Sequence, residues 1–184
     1  MLKLYGGARS RASIVQWYLE ELAIPYEFVM LNMQAGEHRQ PPFLAINPMG
    51  KVPAIVDGDF TLWESGAILL YLSDQYEPSA KSPAQRAEIA QWVLYANATL
   101  GPGLFVETNR QRELHQLTAL DQILAAKPYL LGEQFSAADV AVGAVLAYMP
   151  IMLQFDFSPY PSITAYLQRL AERPAFQATI GKRS

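Results

Sequence analysis

Residues 47–68 read NPMGKVPAIVDGDFTLWESGAI. Two apolar runs, Val52–Val56 and Phe60–Leu62, flank Asp57-Gly58-Asp59, and an Asp-Gly pair between such runs marks a tight β-hairpin. Pro53 stands at the start of the first run, a position where a cis peptide bond is structurally useful. With that bond cis, Val52 turns its N–H and C=O outward, ready to pair with an extended peptide as an added strand. Glu64-Ser65-Gly66 then opens a helix, whose unpaired N–H groups and positive dipole end favour an anion such as a carboxylate. Ser65 can donate its hydroxyl to that anion, or Glu64 and Ser65 can simply cap the helix. Each signal is weak alone, and their spacing of a dozen residues strengthens both.

Upstream of this stretch, Lys3-Leu4-Tyr5 is strand-like and Gly6-Gly7 breaks it. From Ser10 the apolar residues Val15, Leu19 and Leu22 recur at helical spacing, and Tyr26–Met30 reads as a second strand. A polar segment around Gly36–Gln40 leads to a short helical piece ending at Asn47-Pro48. Residues 1–76 therefore predict a small α/β domain in the order βαβαββα. The stretch from Glu77 to Pro83 has a linker's composition, with two prolines and two serines. Beyond it, residues 84–184 show helical periodicity only, which predicts an all-α second domain. Gly101-Pro102-Gly103 predicts a broken helix or a sharp turn.

Composition narrows the chemistry. The 184 residues are 51% hydrophobic and 17% charged, enough to build a self-sufficient core. There is no cysteine, so disulfides, thiolate metal sites and an enzyme cysteine nucleophile are excluded, and no metal is expected. If thiol chemistry occurs, the substrate brings the sulfur. The net charge of −3, with arginines scattered in ones and twos, argues against nucleic acid as a partner. The longest apolar run, Val140 to Leu153, is too short for the ~20 residues of a membrane span and reads as a buried helix. No signal-peptide pattern is present near Met1, so the expected location is the cytoplasm.

Phe135-Ser136-Ala137-Ala138-Asp139-Val140 has the form of a capping box with a hydrophobic staple. Its best reading is structural. His115, beside Leu114 and Leu117, reads as an exposed surface residue.

The pattern N-P-x-G-K-V-P-A-I, an Asp-Gly hairpin, and E-S-x-A-I-x-x-Y-L over Asn47 to Leu72 resembles the amino-terminal, thioredoxin-like domain of cytosolic glutathione transferases. Tyr129 to Asp139 resembles the capping motif of that family's helical carboxy-terminal domain, so the resemblance covers nearly the whole chain. It implies an enzyme that conjugates the thiolate of glutathione, a co-substrate rather than a cofactor, to small hydrophobic electrophiles, with glutathione-dependent peroxidase side activity. A homodimer is the implied assembly. The same fold also occurs as a non-catalytic binding or assembly module, which is the alternative.

By the resemblance, Val52 before Pro53 would pair its main chain with the cysteinyl part of glutathione. Ser65 would take the γ-glutamyl carboxylate, with Glu64 near the ammonium, while Lys51 and His38 would lie near the glycyl carboxylate. The sequence departs from the family at the catalytic position. Where theta-like members carry serine and beta-like members cysteine, this chain has Arg9 and Arg11. Ser10 lies between them and is the expected thiolate donor, with Arg11 as electrostatic helper and Arg9 nearby; Ser13 and Tyr5 are alternatives. An apolar pocket for the electrophile is expected from Tyr5, Tyr95, Leu104 and Phe105.

Overall fold

The computed structural model describes residues 1–77 and 81–183. It divides into two compact units, Met1–Pro78 and Ser79–Ser184. Of the linker expected over 77–83, residues 78–80 lie outside the described residues.

The first unit has the order β1 (Leu2–Gly6), α1 (Ala12–Glu21), β2 (Tyr26–Met30), a 3-10 turn (Glu37–Arg39), α2 (Pro41–Leu44), β3 (Ala54–Asp57), β4 (Phe60–Trp63) and α3 (Ser65–Tyr76). The four strands lie in the order β2-β1-β3-β4, with β1 parallel to β2 and the other neighbours antiparallel. Side-chain alternation along β1 assigns the two faces of the sheet. Leu2, Leu4 and Gly6 are buried, and a Cβ on Gly6 would lie 2.5 Å from that of Ala12, so this face carries α1. Tyr5 points the other way, its ring 5.8 Å from that of Phe43 on α2. Trp17, Tyr18 and Leu19 of α1 and Ile68, Leu69 and Leu72 of α3 fill the core on the first face. The hairpin is tied to the end of α3 through Asp57, which accepts from Tyr71 (2.9 Å) and Tyr76 (2.5 Å). That bond to the carboxylate pushes the Tyr76 hydroxyl up to about 12.

The elements described in the second unit are all helical: α4 (Pro83–Leu94), a π-helical stretch (Tyr95–Leu100), α5 (Gly101–Phe105), α6 (Glu107–Glu113), α7 (His115–Ala125), α8 (Ala137–Leu153), α9 (Pro161–Ala171), α10 (Pro174–Ala178) and a closing 3-10 turn (Gly181–Arg183). The break expected at Gly101-Pro102-Gly103 does not occur. Pro102 sits in the first turn of α5, where its missing N–H costs little, and the π-helical stretch leads into it without a loop. Likewise Pro150 lies inside α8 without ending it; the helix stops at Gln154, which takes a left-handed cap conformation.

α8 is the axis of this unit, buried from Ala137 to Leu146 and at Met149, with its last turn exposed at Ile151 and Met152. Ser136 and Asp139 form the capping box that the sequence predicts. Asp139 does more than close its own helix: it accepts from the backbone of Ser136 and Leu130 (both 2.9 Å), from the Ser136 hydroxyl (3.1 Å) and from Tyr166 of α9 (3.0 Å). One buried carboxylate thereby joins the 126–136 connection, α8 and α9. Arg169 bonds the Pro128 carbonyl, and Arg173 stacks 3.9 Å from the Phe135 ring centre, completing the clasp on that connection.

Candidate functional site

The register of the β3–β4 hairpin brings the quoted motif together. Ala54 pairs with Trp63, so Pro53 and Val52, which precede β3, lie at the same sheet end as Glu64 and Ser65, which follow β4. Tyr5 pairs with Ala54 on the other side of β3, so β1 also delivers Gly6-Gly7 and the Ser10 turn to that end. Three candidate segments converge because each precedes or follows a strand of one sheet.

The peptide bond between Val52 and Pro53 is cis. The loop before it is braced by Asn47, which is buried. Its side-chain amide donates to the Lys51 carbonyl at 2.7 Å, and its Oδ1 accepts from the Met49 N–H at 3.0 Å. Gly50, with φ of 60°, is packed close to the backbone of His38: a Cβ there would lie 3.0 Å from the His38 carbonyl oxygen. His38 and Lys51 therefore border the same loop, His38 half-buried with an unpartnered buried Nδ1 and Lys51 exposed.

Glu64 adopts φ 73° and ψ 120°, a conformation that L-residues avoid, and makes no side-chain cap to α3. This corrects the capping alternative for Glu64: its side chain is released from the helix end. Ser65, only 3% exposed, is the first residue of α3, where N–H groups and dipole favour a bound carboxylate.

At the start of α1, the Ser10 Oγ accepts from the Gly7 N–H (3.0 Å) and the Ala12 N–H (3.3 Å) and donates to the Gly7 carbonyl (3.0 Å). The hydroxyl thus builds the turn and serves the end of the helix. Giving the hydroxyl proton to a ligand exchanges the bond to the Gly7 carbonyl for one to the ligand, by a rotation about Cβ–Oγ that also loosens one of the accepted N–H bonds. Those two donors polarise the oxygen and strengthen any hydrogen bond it gives. Arg9 and Arg11 flank it, both exposed. Ser13 is 1% exposed and faces the core, with its hydroxyl on the Ser10 carbonyl at 3.1 Å.

The residues expected around the electrophile have separate surroundings. Tyr5 lines a cleft of about 360 Å³ under α2 with Phe43 and Val29, on the sheet face opposite α1. Tyr95 lines a cleft of about 510 Å³ in the helical unit with Trp92, Gln116 and Leu120. Leu104 is fully buried core, so it forms no open wall, and Phe105 is half-buried. His115 is exposed, as the sequence predicts, with its Nδ1 2.9 Å from the Arg112 carbonyl.

Sequence reasoning gave no role to Asn47 and Gly7. Asn47 stood inside the quoted motif, and its spacing of four from Lys51 was the available signal; Gly7 was visible only as a strand breaker. Among the described residues, no group of three or more His, Asp or Glu is placed to hold a metal ion, and no helix is long and apolar enough to cross a membrane.

Residues 1–74 match the family model described as glutathione S-transferase, N-terminal domain, and residues 74–174 match the C-terminal domain of the same family. The chain is 32% identical to glutathione S-transferase GstB of Escherichia coli over 98% of both chains. It superposes on the glutathione transferase URE2P6 of Phanerochaete chrysosporium, solved with oxidized glutathione, with a TM-score of 0.86 at 26% identity, covering 99% of this chain and 96% of that one. A delta-class glutathione transferase from Nilaparvata lugens gives 0.88 at 25% identity, covering 100% and 95%.

Proposed function

The chain belongs to the glutathione S-transferase family and is a glutathione transferase, and we propose that the sheet end carrying Val52, Glu64, Ser65 and Ser10 holds the tripeptide and ionises its sulfur. The observation that carries this reading is the hairpin register, which gathers an unpaired strand end, a helix N-terminus and the Ser10 turn at one edge. An extended peptide pairs its cysteinyl residue with the main chain of Val52. Its γ-glutamyl carboxylate sits on Ser65 and the start of α3, with Glu64 near the ammonium. Its glycyl carboxylate lies toward His38 and Lys51.

A thiol of this kind ionises near pH 8.5, and lowering that by about two units needs ~2.7 kcal/mol of preference for the thiolate. The Ser10 hydroxyl supplies a charge-assisted hydrogen bond, the N-terminus of α1 a partial positive charge, and Arg11 and Arg9 the field of two guanidinium groups. The thiol proton leaves to solvent. The thiolate then attacks an electrophilic carbon, forming a C–S bond as the leaving group departs with its electron pair. The second substrate in this reading is a small hydrophobic electrophile, and reduction of hydroperoxides by the bound thiolate is a side activity. The proposed assembly is a homodimer and the proposed location the cytoplasm.

Retention on immobilised glutathione, followed by conjugation of a chromogenic halo-nitroaromatic or an isothiocyanate, tests the reading. Failure of free glutathione to elute the protein, or binding with no turnover over a panel of electrophiles, overturns it.

A further inference from the structure

The connection after β2 is pinned from both sides. The Leu31 N–H donates to the Gly6 carbonyl at 2.8 Å, which fixes its start to β1. Further along, Asn32 Oδ1 accepts from the N–H groups of Gln34 (3.1 Å) and Ala35 (3.0 Å), while Glu37 Oε2 accepts from the Asn32 N–H at 2.7 Å. This small closed loop holds Met33 against Gly7: a Cβ on Gly7 would lie 2.5 Å from Met33 Cγ and 3.2 Å from its Sδ. The thioether chain therefore rests on a bare α-carbon. Gly7 in turn is the residue whose N–H and C=O both bond Ser10 Oγ.

We infer that Met33 is a positioning residue, confining the Gly7–Ser10 turn so that the Ser10 hydroxyl and the start of α1 face the glutathione sulfur; the inference rests on the reading of Ser10 given above. Met33 is 37% exposed, so it is not there to fill the core. Its contact bears on a turn in which Ser10 Oγ accepts two hydrogen bonds and donates one. Loss of about an ångström in the placement of such a donor can cost up to about a hundredfold in rate. Methionine suits the place because its long, flexible apolar chain lies along the glycine surface, a contact that a leucine of similar volume largely keeps.

The experiment measures the pKa of glutathione's thiol in the binary complex, without electrophile, from the ultraviolet absorbance of the thiolate. The proteins compared are the parent, Met33→Ala, Met33→Leu and Ser10→Ala. Met33→Ala is expected to raise the thiol pKa by about half a unit, a threefold loss of thiolate at a fixed pH below it. Its kcat falls in proportion while KM for glutathione stays within about twofold. Met33→Leu restores most of the shift. An unchanged pKa in Met33→Ala, with a raised one in Ser10→Ala, refutes the clamp and leaves Ser10 in place. If neither variant raises it, the Ser10 reading falls too. A change confined to KM for the electrophile makes Met33 a wall of the second site and also refutes the clamp.

Discussion

Glu64 and Ser65 are neighbours with opposite energetic positions. Glu64 holds a backbone conformation that costs of order 1–3 kcal/mol, with no capping bond to offset it. Ser65 is buried at a helix start that favours a carboxylate. Glu64→Gly should therefore raise the unfolding free energy by about 1 kcal/mol, because glycine adopts a positive φ freely. The same change should weaken glutathione binding roughly tenfold through loss of the ammonium partner. Urea melts and titration calorimetry on one preparation read both. Parallel movement of stability and affinity would show that the strained backbone has no tie to the ligand. Ser65→Ala should cost roughly 1.5–3 kcal/mol of glutathione affinity, the worth of one charge-assisted hydrogen bond. An unchanged dissociation constant removes Ser65 from the site.

Helix α1 begins at a turn built by its own serine, and this gives Ser10→Ala two separable effects. Loss of the bonds to Gly7 and Ala12 should lower stability by about 1 kcal/mol, as for other helix-start residues. Loss of the donor should lower turnover and raise the bound thiol's pKa with little change in glutathione affinity. Arg11→Ala should shift only the pKa, in the same direction. A Ser10→Ala enzyme with parental turnover would confine the hydroxyl to building the turn.

Helix α8 depends on Asp139, whose carboxyl is raised above its ordinary range by burial, a tendency that its backbone, serine and tyrosine donors oppose. A carboxyl with a raised folded-state pKa contributes most below its unfolded value, and that contribution is lost as pH rises toward the folded one. The stability advantage of the parent over Asp139→Asn should accordingly grow as pH falls toward 4. At neutral pH the variant should be less stable by about 2 kcal/mol, since the amide nitrogen faces a donor. A difference in urea midpoints that is flat between pH 7 and 4 would contradict the raised pKa.

At the scale of the whole molecule, glutathione binds the folded chain, so saturation must stabilise it. At a hundred times the dissociation constant the gain is about 2.7 kcal/mol, or roughly 5–10 °C in Tm for a chain of this size. A thermal shift absent with glutathione, yet present with unrelated anions, would point to a generic anion site. Much of this architecture is legible in the residues themselves. Period-two and helical spacing, the Asp-Gly turn and the Ser136–Asp139 box are local patterns, and local hydrogen bonds and burial suffice to realise them. The break expected at Gly101-Pro102-Gly103 does not form because glycine and proline signal turns only where no neighbouring helix holds the segment in register; here Gly103 and Leu104 are buried against the rest of the unit.

The sequence by itself determined the order of strands and helices, the two-part organisation and the motif that resembles a glutathione site, because each of these depends on residues close together along the chain. Only the tertiary structure decided that Met33 lies on Gly7, that Asn47 braces the loop before Val52, that Ser13 and Leu104 face the core, and that Asp139 joins three elements. Those contacts link residues distant in sequence, or depend on which face a side chain presents, and strand register and helix packing fix both.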